Sequence, residues 1–411
     1  MRLYEHLLGE VKPVNDDNCE KVYDQFDCYV TTVTQPIVIV RDDSDGLSLR
    51  KLVIAVLTLL LVGCSALLFV MTIYQAEMHS SNPVEEILLR ENYPREDFAY
   101  IDQFIDFMNV YGRKYHGYHE TRERFQNFVN NMKYIKKIQQ GKQNVQFGIT
   151  RFADWSEEEM KSMTCGEEPN MEMRYDREYY DGSYEDEFTL YDGFGGRPES
   201  FDWRSKNVVT DIKDQQRCGS CWAFGAVGVV ESMNAIAKNP LVSLSEQQLV
   251  DCDMNDNGCD GGYRPYALQY IRHNGIVPEE LYPYAGKELD SCKLNTTVQR
   301  VYVKTVKYIR RNESAMADFV FYKGPLSVGI NVTKDLFHYQ SGVFTPSKED
   351  CEQNPQGTHA LAVVGYGSQN GEDYWIIKNS WGKRWGMDGF FLYKRGANSC
   401  GIADSPCSVE A

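Results

Sequence analysis

An uncharged, mostly apolar run at positions 52–73, LVIAVLTLLLVGCSALLFVMTI, limits what the N-terminal part of this chain can become. Its 22 residues suffice to cross a hydrocarbon core of about 30 Å as a helix rising about 1.5 Å per residue. A secretory signal peptide normally has a shorter apolar core near the N-terminus, and a buried helix is rarely apolar on every face. The run therefore predicts one transmembrane helix.

The charges that flank this run predict its orientation. Arg50 and Lys51 precede it, and Glu77 follows it. Because basic residues accumulate on the cytosolic side of a membrane, residues 1–51 should be cytosolic and the rest should cross, as in a single-pass type II protein. The tail contains YDQF at 23–26, which fits a tyrosine-based endosomal sorting signal but is equally compatible with an inert tail.

Cysteines and glycosylation sequons favour an oxidising compartment for the C-terminal half. Eight of the 12 cysteines lie in the last two hundred residues, a density typical of domains that keep disulfides. Sequons at three positions agree with lumenal or extracellular exposure: Asn295, Asn312 and Asn331.

Charge and composition exclude some functions. The net charge is −16 and no basic block is interleaved with aromatic residues, which argues against nucleic-acid binding.

Many of the acidic residues lie between residues 157 and 187. The stretch that follows Cys165 is acidic, rich in tyrosine and ends in Gly-Gly and Pro, so it predicts an exposed linker. Exposed linkers concentrate proteolytic nicking, and a cut near residues 190–198 would release a C-terminal domain.

The stretch QQRCGSCWAFG contains two cysteines three residues apart. From Trp222 onward the sequence favours a buried helix, which places Cys221 at the helix N-terminus, where unpaired N–H groups favour a thiolate. A thiolate that cleaves amides also needs a proton donor. His359 stands at the start of an alternating apolar strand, and Asn379 could accept from its ring and fix its tautomer. Such a histidine can equally be structural, and the cysteine pair can equally be a redox couple or half of a zinc site.

The segment from about residue 97 to 160 predicts helices, because apolar residues recur at helical spacing. One helix face would carry five residues spaced three and four apart: Glu120, Arg124, Phe128, Asn131 and Ile135. Alone, this stripe is compatible with an ordinary amphipathic helix.

Several segments together resemble the papain and cathepsin L family of cysteine proteases. DQQRCGSCWAF, GCDGGY, THALAVVGYG and YWIIKNSWGKRWGMDGF are similar to its signature segments in order and spacing. The helical stripe resembles its interspersed propeptide motif, with Gln139 in place of a final Asn, and residues 148–154 resemble its second propeptide motif, with Thr150 in place of Asn. The tail, anchor and propeptide layout resembles the type II members of apicomplexan parasites.

The resemblance implies an α+β, papain-like two-lobed fold, with a helical lobe carrying Cys221 and a β-rich lobe carrying His359 and Asn379. Cys221 would be the nucleophile, His359 the acid and base, and Asn379 its orienting partner. The side chain of Gln215 and the backbone N–H of Cys221 would stabilise the oxyanion. No metal or cofactor is implied, and the peptidase domain is expected to be a monomer.

The resemblance also implies disulfides and substrate subsites. The pairs would be Cys218–Cys259, Cys252–Cys292 and Cys351–Cys400, which leaves Cys221 unbonded; Cys407 could compete for Cys351 or remain outside the pairs. Residues expected to contact substrate are Gly261, Gly262, Tyr263, Arg264, Gly329, Ala360, Trp381 and Ser405. Small residues there suggest room for Leu or Phe at the second subsite, and Arg264 suggests some tolerance for polar groups. Gln216, where the family usually has Gly, and Thr358, where Asn or Asp is common, depart from its pattern.

These inferences predict a membrane-anchored endopeptidase zymogen. Its own propeptide would occupy the cleft. The mature form would work in an acidic, lysosome- or food-vacuole-like compartment. The expected organisation is a cytosolic tail (1–51), a transmembrane signal-anchor (52–73), an inhibitory propeptide (74–165), an acidic linker with the processing site (166–197) and a peptidase domain (198–411). The alternatives are a thiol–disulfide oxidoreductase using Cys218 and Cys221, and a membrane-displayed binding protein of the same fold that has lost activity.

Overall fold

A computed structural model describes residues 94–165, 196–295 and 297–411, together with Val84 and scattered positions between 53 and 65. The chain divides into two compact units, Met1–Ser80 and Ser81–Ala411. The predicted cytosolic tail, most of the apolar run at 52–73 and nearly all of the acidic linker lie outside the described residues. Among the residues that are described, no helix is both long and apolar enough to span a membrane.

The second unit alternates helices and strands. Its α-helices are α1 (Ile101–Tyr111), α2 (Gly117–Gln139), α3 (Glu157–Lys161), α4 (Cys221–Ile236), α5 (Glu246–Cys252), α6 (Arg264–Asn274), α7 (Glu313–Tyr322), α8 (Lys334–Phe337) and α9 (Lys348–Gln353). Its strands are β1 (Val145–Phe147), β2 (Phe201–Asp202), β3 (Thr305–Tyr308), β4 (Leu326–Asn331), β5 (Tyr339–Phe344), β6 (Thr358–Gln369), β7 (Glu372–Lys378), β8 (Phe390–Lys394) and β9 (Cys407–Glu410).

Aromatic side chains hold α1 and α2 together. Phe104 and Phe107 of α1 pack against Phe125 and Phe128 of α2, and all four are buried. α1 ends at Gly112, whose φ of 63° is the left-handed conformation that favours glycine. The prediction of helices between about residues 97 and 160 is confirmed by α1, α2 and α3, with β1 and its flanking turns between α2 and α3.

The two residues that depart from the propeptide motifs still form structural contacts. Gln139 donates from Nε2 to the carbonyls of Lys142 and Val145, at 2.9 and 3.0 Å, and accepts from Phe147 N at 2.8 Å. It therefore closes the turn between α2 and β1. Thr150 is buried and donates to the carbonyl of Phe337 at 2.7 Å. A hydroxyl thus fills the place where an Asn side chain is usual.

The peptidase region has two lobes with separate apolar cores. α4, α5 and α6 surround one core, and the sheet encloses the other. The strands pair in the order β1-β5-β8-β7-β6-β4-β9-β3, and β2 pairs with β6. β1, from the propeptide, adds to the outer edge by pairing antiparallel with β5. The propeptide is therefore attached to the β-rich lobe through backbone hydrogen bonds as well as side chains.

A buried cluster of charges joins α4 to neighbouring elements of both lobes. Lys213 Nζ lies 2.9 Å from Glu231 Oε1 and 2.8 Å from Glu246 Oε1, and Lys378 Nζ lies 3.8 Å from Glu231 Oε2. Burial alone would raise the pKa of Glu231, but Lys213 and Lys378 more than offset it and hold that pKa below its ordinary value. The carboxylate therefore stays charged in the interior.

We expect Glu231→Gln to destabilise the fold by about 3–5 kcal/mol, since it removes the carboxylate beside buried Lys378 and leaves Lys213 with Glu246 alone. Urea unfolding of the full chain, with Cys221→Ala to prevent self-cleavage, measures the change. Glu352→Gln is the control, because Glu352 pairs with Lys348 at 3.7 Å on the exposed face of α9 and such pairs contribute little. Equal stability of the two variants would contradict the role given to the cluster.

Candidate active site

Cys221 is the first residue of α4 and its side chain is fully buried. The sequence prediction of a helix that begins here is confirmed. One turn further along, Gly225 faces the first residues of β6, and a Cβ placed on it would lie 3.2 Å from Ala360 Cβ and from Leu361 N. The start of α4 therefore lies close to the start of β6, where His359 is found.

His359 is held by two neighbours from the segment that follows β7. Its Nε2 lies 2.8 Å from Asn379 Oδ1, and its ring stacks on Trp381 with centroids 4.7 Å apart. Burial lowers the pKa of His359 to about 4, and the Asn379 contact opposes that shift. Because Asn379 engages Nε2, Nδ1 is the ring atom left to act on a reacting group; it has no hydrogen-bond partner within the described part of the chain.

Gln215 is buried and its side-chain amide is fixed at both ends. Nε2 donates to the carbonyl of Cys218 at 2.9 Å and to the carbonyl of Met163 at 3.0 Å. Oε1 accepts from Ser380 Oγ at 2.7 Å, which orients the N–H groups toward the cleft. The Gln215 backbone carbonyl accepts from the Tyr284 hydroxyl at 2.8 Å.

Ser380 and Tyr284 were missed by the sequence analysis. Ser380 follows Asn379 directly in KNSWG, so its position in the motif is a signal that could have drawn attention to it. Tyr284 lies in a loop and carries no such signal.

Gln216 adopts a left-handed conformation, with φ of 55°. This explains why the family usually has Gly at that position, because Gly reaches positive φ without a steric penalty. Its side chain packs against Gly286, where a Cβ would lie 2.5 Å from Gln216 Oε1. The chain therefore tolerates a strained residue beside Gln215 and accommodates its bulk with a glycine.

The sulfur of Cys165, from the propeptide, lies against the Cys221 sulfur, a neighbour that the sequence analysis did not expect. The three pairs implied by the family resemblance are all present, Cys218–Cys259, Cys252–Cys292 and Cys351–Cys400. Cys407 lies outside the disulfides, buried in β9, with its Sγ 3.8 Å from the Ser327 carbonyl. The Cys165–Cys221 pair was missed because the propeptide brings the two residues together only in three dimensions.

Residues 163–165 of the propeptide lie in the cleft between the lobes. The Met163 carbonyl accepts a hydrogen bond from the side-chain amide of Gln215. Cys165 N donates to the Thr358 carbonyl at 2.8 Å on the β-rich side. On the helical side, the Cys165 carbonyl packs so closely on Gly261 that a Cβ there would overlap it. The propeptide therefore contacts both walls and the proposed oxyanion donor together.

The residues expected to contact substrate fall on both walls. Gly262 packs against the Trp222 ring, and Gly329 of β4 pairs with Ala360 of β6. Arg264 is buried and donates to the carbonyl and hydroxyl of Ser405. Arg264 therefore bridges to the segment before β9, and Tyr263, its neighbour, occupies the position that precedes α6.

Comparison with known proteins gives the family. A model described as papain family cysteine protease matches residues 197–409, and one described as cathepsin propeptide inhibitor domain (I29) matches residues 104–160. The chain belongs to the papain family of cysteine proteases. It is a zymogen of that family, because the inhibitor segment precedes the peptidase, and it is accordingly an enzyme of the cysteine peptidase class.

Known relatives are similar in sequence to this papain-family zymogen over most of their own length. Pro-cathepsin H of Mus musculus is 41% identical over 290 residues, covering 69% of this chain and 83% of the relative. Pro-cathepsin H of Bos taurus is 39% identical over 306 residues, covering 73% and 87%. Among solved structures, procathepsin L2 proteinase from Tenebrio molitor larval midgut is 34% identical with a TM-score of 0.67, covering 75% of this chain and 99% of that one.

A second buried histidine lies where the propeptide meets the peptidase. The His338 ring faces Tyr134 of α2, with centroids 5.9 Å apart, and the His338 carbonyl accepts from Gly148 N at 2.9 Å. Burial, aided by Lys334, lowers the pKa of His338 to about 3 from an ordinary 6.5. The unfolded chain thus binds the proton more readily, and the precursor loses stability as pH falls below about 6.5.

We expect His338→Gln to reduce the loss of precursor stability on acidification, because the variant lacks the buried imidazole at position 338 that would have to be protonated. Urea unfolding at pH 7 and pH 4.5, in a Cys221→Ala background, gives the difference for each protein. His273→Gln, at an exposed position of α6, should leave the wild-type difference unchanged. An unchanged pH dependence in His338→Gln would contradict the assignment.

Proposed function

We propose that this chain is a cysteine endopeptidase that cleaves peptide bonds through Cys221, His359 and Asn379. The observation that carries the proposal is the hydrogen bond that Gln215 Nε2 donates to the Met163 carbonyl at 3.0 Å. A backbone carbonyl of the propeptide, in the turn that follows α3, thus occupies the place that the scissile carbonyl of a substrate would take. Beside it lie a cysteine at a helix N-terminus and a histidine oriented by an asparagine.

The proposed reaction follows from these positions. With Cys221 reduced and the propeptide removed, the thiolate attacks the substrate carbonyl carbon, and the oxyanion accepts hydrogen bonds from Gln215 Nε2 and the backbone N–H of Cys221. The C–N bond breaks as His359 gives its proton to the leaving amine, which leaves a thioester on Cys221. Water, deprotonated by His359, hydrolyses the thioester and regenerates the thiol. Asn379 keeps the imidazole in the required tautomer and orientation.

The substrate preference follows from the walls of the cleft. We propose an apolar residue, Leu or Phe, at the second subsite, because Gly329 and Ala360 are small and adjacent on neighbouring strands. Gly261 and Gly262 would let substrate backbone approach closely, as Cys165 does now, and Trp381 covers the histidine. The guanidinium of Arg264 is turned to Ser405, so any tolerance for polar side chains would depend on both residues. Profiling of cleaved bonds in a peptide library tests this preference.

We also propose the cellular arrangement that the sequence predicts. The described residues between 53 and 65 are helical, and their apolar side chains are about half or more exposed, from 48% for Val56 to 63% for Ile54. Exposed apolar helix surface is what a bilayer would cover. The arrangement is a cytosolic tail, a signal-anchor at 52–73, a propeptide to residue 165, a processed linker and a peptidase domain from residue 198. The mature enzyme would work in an acidic, lysosome-like compartment after proteolytic removal of the propeptide.

The sequons differ in their surroundings. Asn295 and Asn312 are exposed, whereas Asn331 is half-buried at the end of β4 and donates to the Cys351 carbonyl at 3.2 Å. We propose glycosylation at the first two positions only.

We expect Gln215→Ala to lower kcat about a hundredfold or more, since it removes one oxyanion donor. Ser380→Ala should lower kcat by about tenfold or less, because it removes the hydrogen bond to Gln215 Oε1 while the bond from Nε2 to the Cys218 carbonyl still orients that donor. Peptide hydrolysis by the processed, reduced enzyme measures both, with Lys348→Ala on the exposed face of α9 as the control. Wild-type kcat in Gln215→Ala would contradict the proposed oxyanion site.

A further inference from the structure

The propeptide places a second cysteine against the residue that would carry out catalysis. The sulfurs of Cys165 and Cys221 are in contact, with their Cα atoms 6.1 Å apart and 56 positions apart in sequence. The Cα separation lies inside the ordinary range for disulfides. The three disulfides that the family resemblance implied have both ends within the peptidase region. A bond between Cys165 and Cys221 would instead cross from propeptide to peptidase.

The position of Cys165 is fixed by more than its sulfur. Its N–H donates to the Thr358 carbonyl, next to His359, and its carbonyl packs on Gly261 of the opposite wall. Two residues earlier, the Met163 carbonyl accepts a hydrogen bond from the Gln215 side-chain amide. These contacts come from the backbone and do not depend on the bond, so the chain is already aligned when the two thiols meet.

We propose that Cys165 and Cys221 form a disulfide that is a covalent lock on the zymogen, opened by a thiol or dithiol reductant. The proposal rests on the proposed function, in which Cys221 is the nucleophile. A sulfur that is half of a disulfide cannot attack a carbonyl. The lock therefore blocks the reaction directly, in addition to the steric block made by residues 163–165.

The lock has a consequence for activation. The acidic linker, where the sequence predicts processing, lies between Cys165 and Cys221. A cut there breaks the backbone but leaves the propeptide attached to the peptidase through the sulfurs. Proteolysis and reduction are thus two separate requirements, and neither alone gives an active enzyme.

The reductive step balances as thiol–disulfide exchange. A reductant thiolate attacks the Cys165 sulfur, the S–S bond breaks, and Cys221 leaves as a thiolate. A second thiolate attacks the reductant sulfur of the mixed disulfide and releases Cys165 as a thiolate. Two reductant thiols are oxidised to one disulfide, and the protein disulfide is reduced to two thiols. Both protein sulfurs are buried, with Cys165 exposed by 7% and Cys221 not at all, so the propeptide must loosen before the reductant reaches them.

Peptide mapping of the full-length chain, made in an oxidising secretory compartment, tests the bond itself. Accessible thiols are alkylated after denaturation without reduction, and the digest is analysed by mass spectrometry. The expected result is a peptide containing Cys165 linked to one containing Cys221, which disappears after treatment with dithiothreitol. Recovery of alkylated Cys221 from the unreduced wild-type chain would overturn the proposal, and this measurement needs neither activity nor a variant.

A gel assay tests the consequence for release. The linker is cut with an added protease, and the products are separated with and without dithiothreitol. Wild-type propeptide should stay with the peptidase until dithiothreitol is added, whereas in Cys165→Ser and Cys165→Ala it should separate without it once denatured. Separation of the wild-type fragments without reductant would contradict the lock. If the crosslink is found but the cut and reduced protein cleaves no peptide, the lock stands and the proposed function fails.

Discussion

The close approach of α4 to β6 is the contact on which the site depends. Gly225 and Gly228 lie one turn apart on the face of α4 that meets the β-rich lobe, against Ala360 and Ala362. Gly225 has no side chain, so the helix axis can lie close to the strand. A Cβ at this position would lie only 3.2 Å from three neighbouring atoms. The helix start and the strand start are thereby brought to one point between the lobes. The buried charges around Glu231 then hold this arrangement, because each cation needs its carboxylate.

The propeptide is retained by several kinds of contact that act together. Phe152 packs edge-on against Phe337 and Trp381, with centroids 5.2 Å from each, and β1 extends the sheet. Ionic and polar contacts to Asp335 and Asp214 surround this apolar centre. Apolar burial supplies most of the stabilisation, whereas the buried imidazole of His338, whose pKa is lowered by burial, makes it depend on pH. The propeptide should therefore stay bound over the cleft at neutral pH, and its attachment to the peptidase should weaken as the pH falls.

Much of the site could be predicted from the sequence because the relevant signals are local. Cys221 precedes a buried helix, His359 precedes an alternating strand, and the propeptide stripe follows helical spacing; each is visible within about twenty residues of chain. The family resemblance supplied the roles and three of the disulfides. What the sequence analysis missed depends on tertiary proximity. The partner of Cys221 and the Tyr284 contact arise between segments far apart in the chain, and no periodicity reports them. Gln216 lacked an explanation until its positive φ was seen.

The central claim is that Cys221 is the nucleophile and that the propeptide keeps it from reacting. Titration with a peptidyl epoxide, which alkylates reactive active-site thiols, tests both parts on the full-length chain. We expect that the intact precursor is not labelled, and that after linker cleavage and reduction one equivalent attaches, to Cys221 alone. Labelling of the intact precursor, or equal labelling of the processed Cys221→Ala variant, would contradict it.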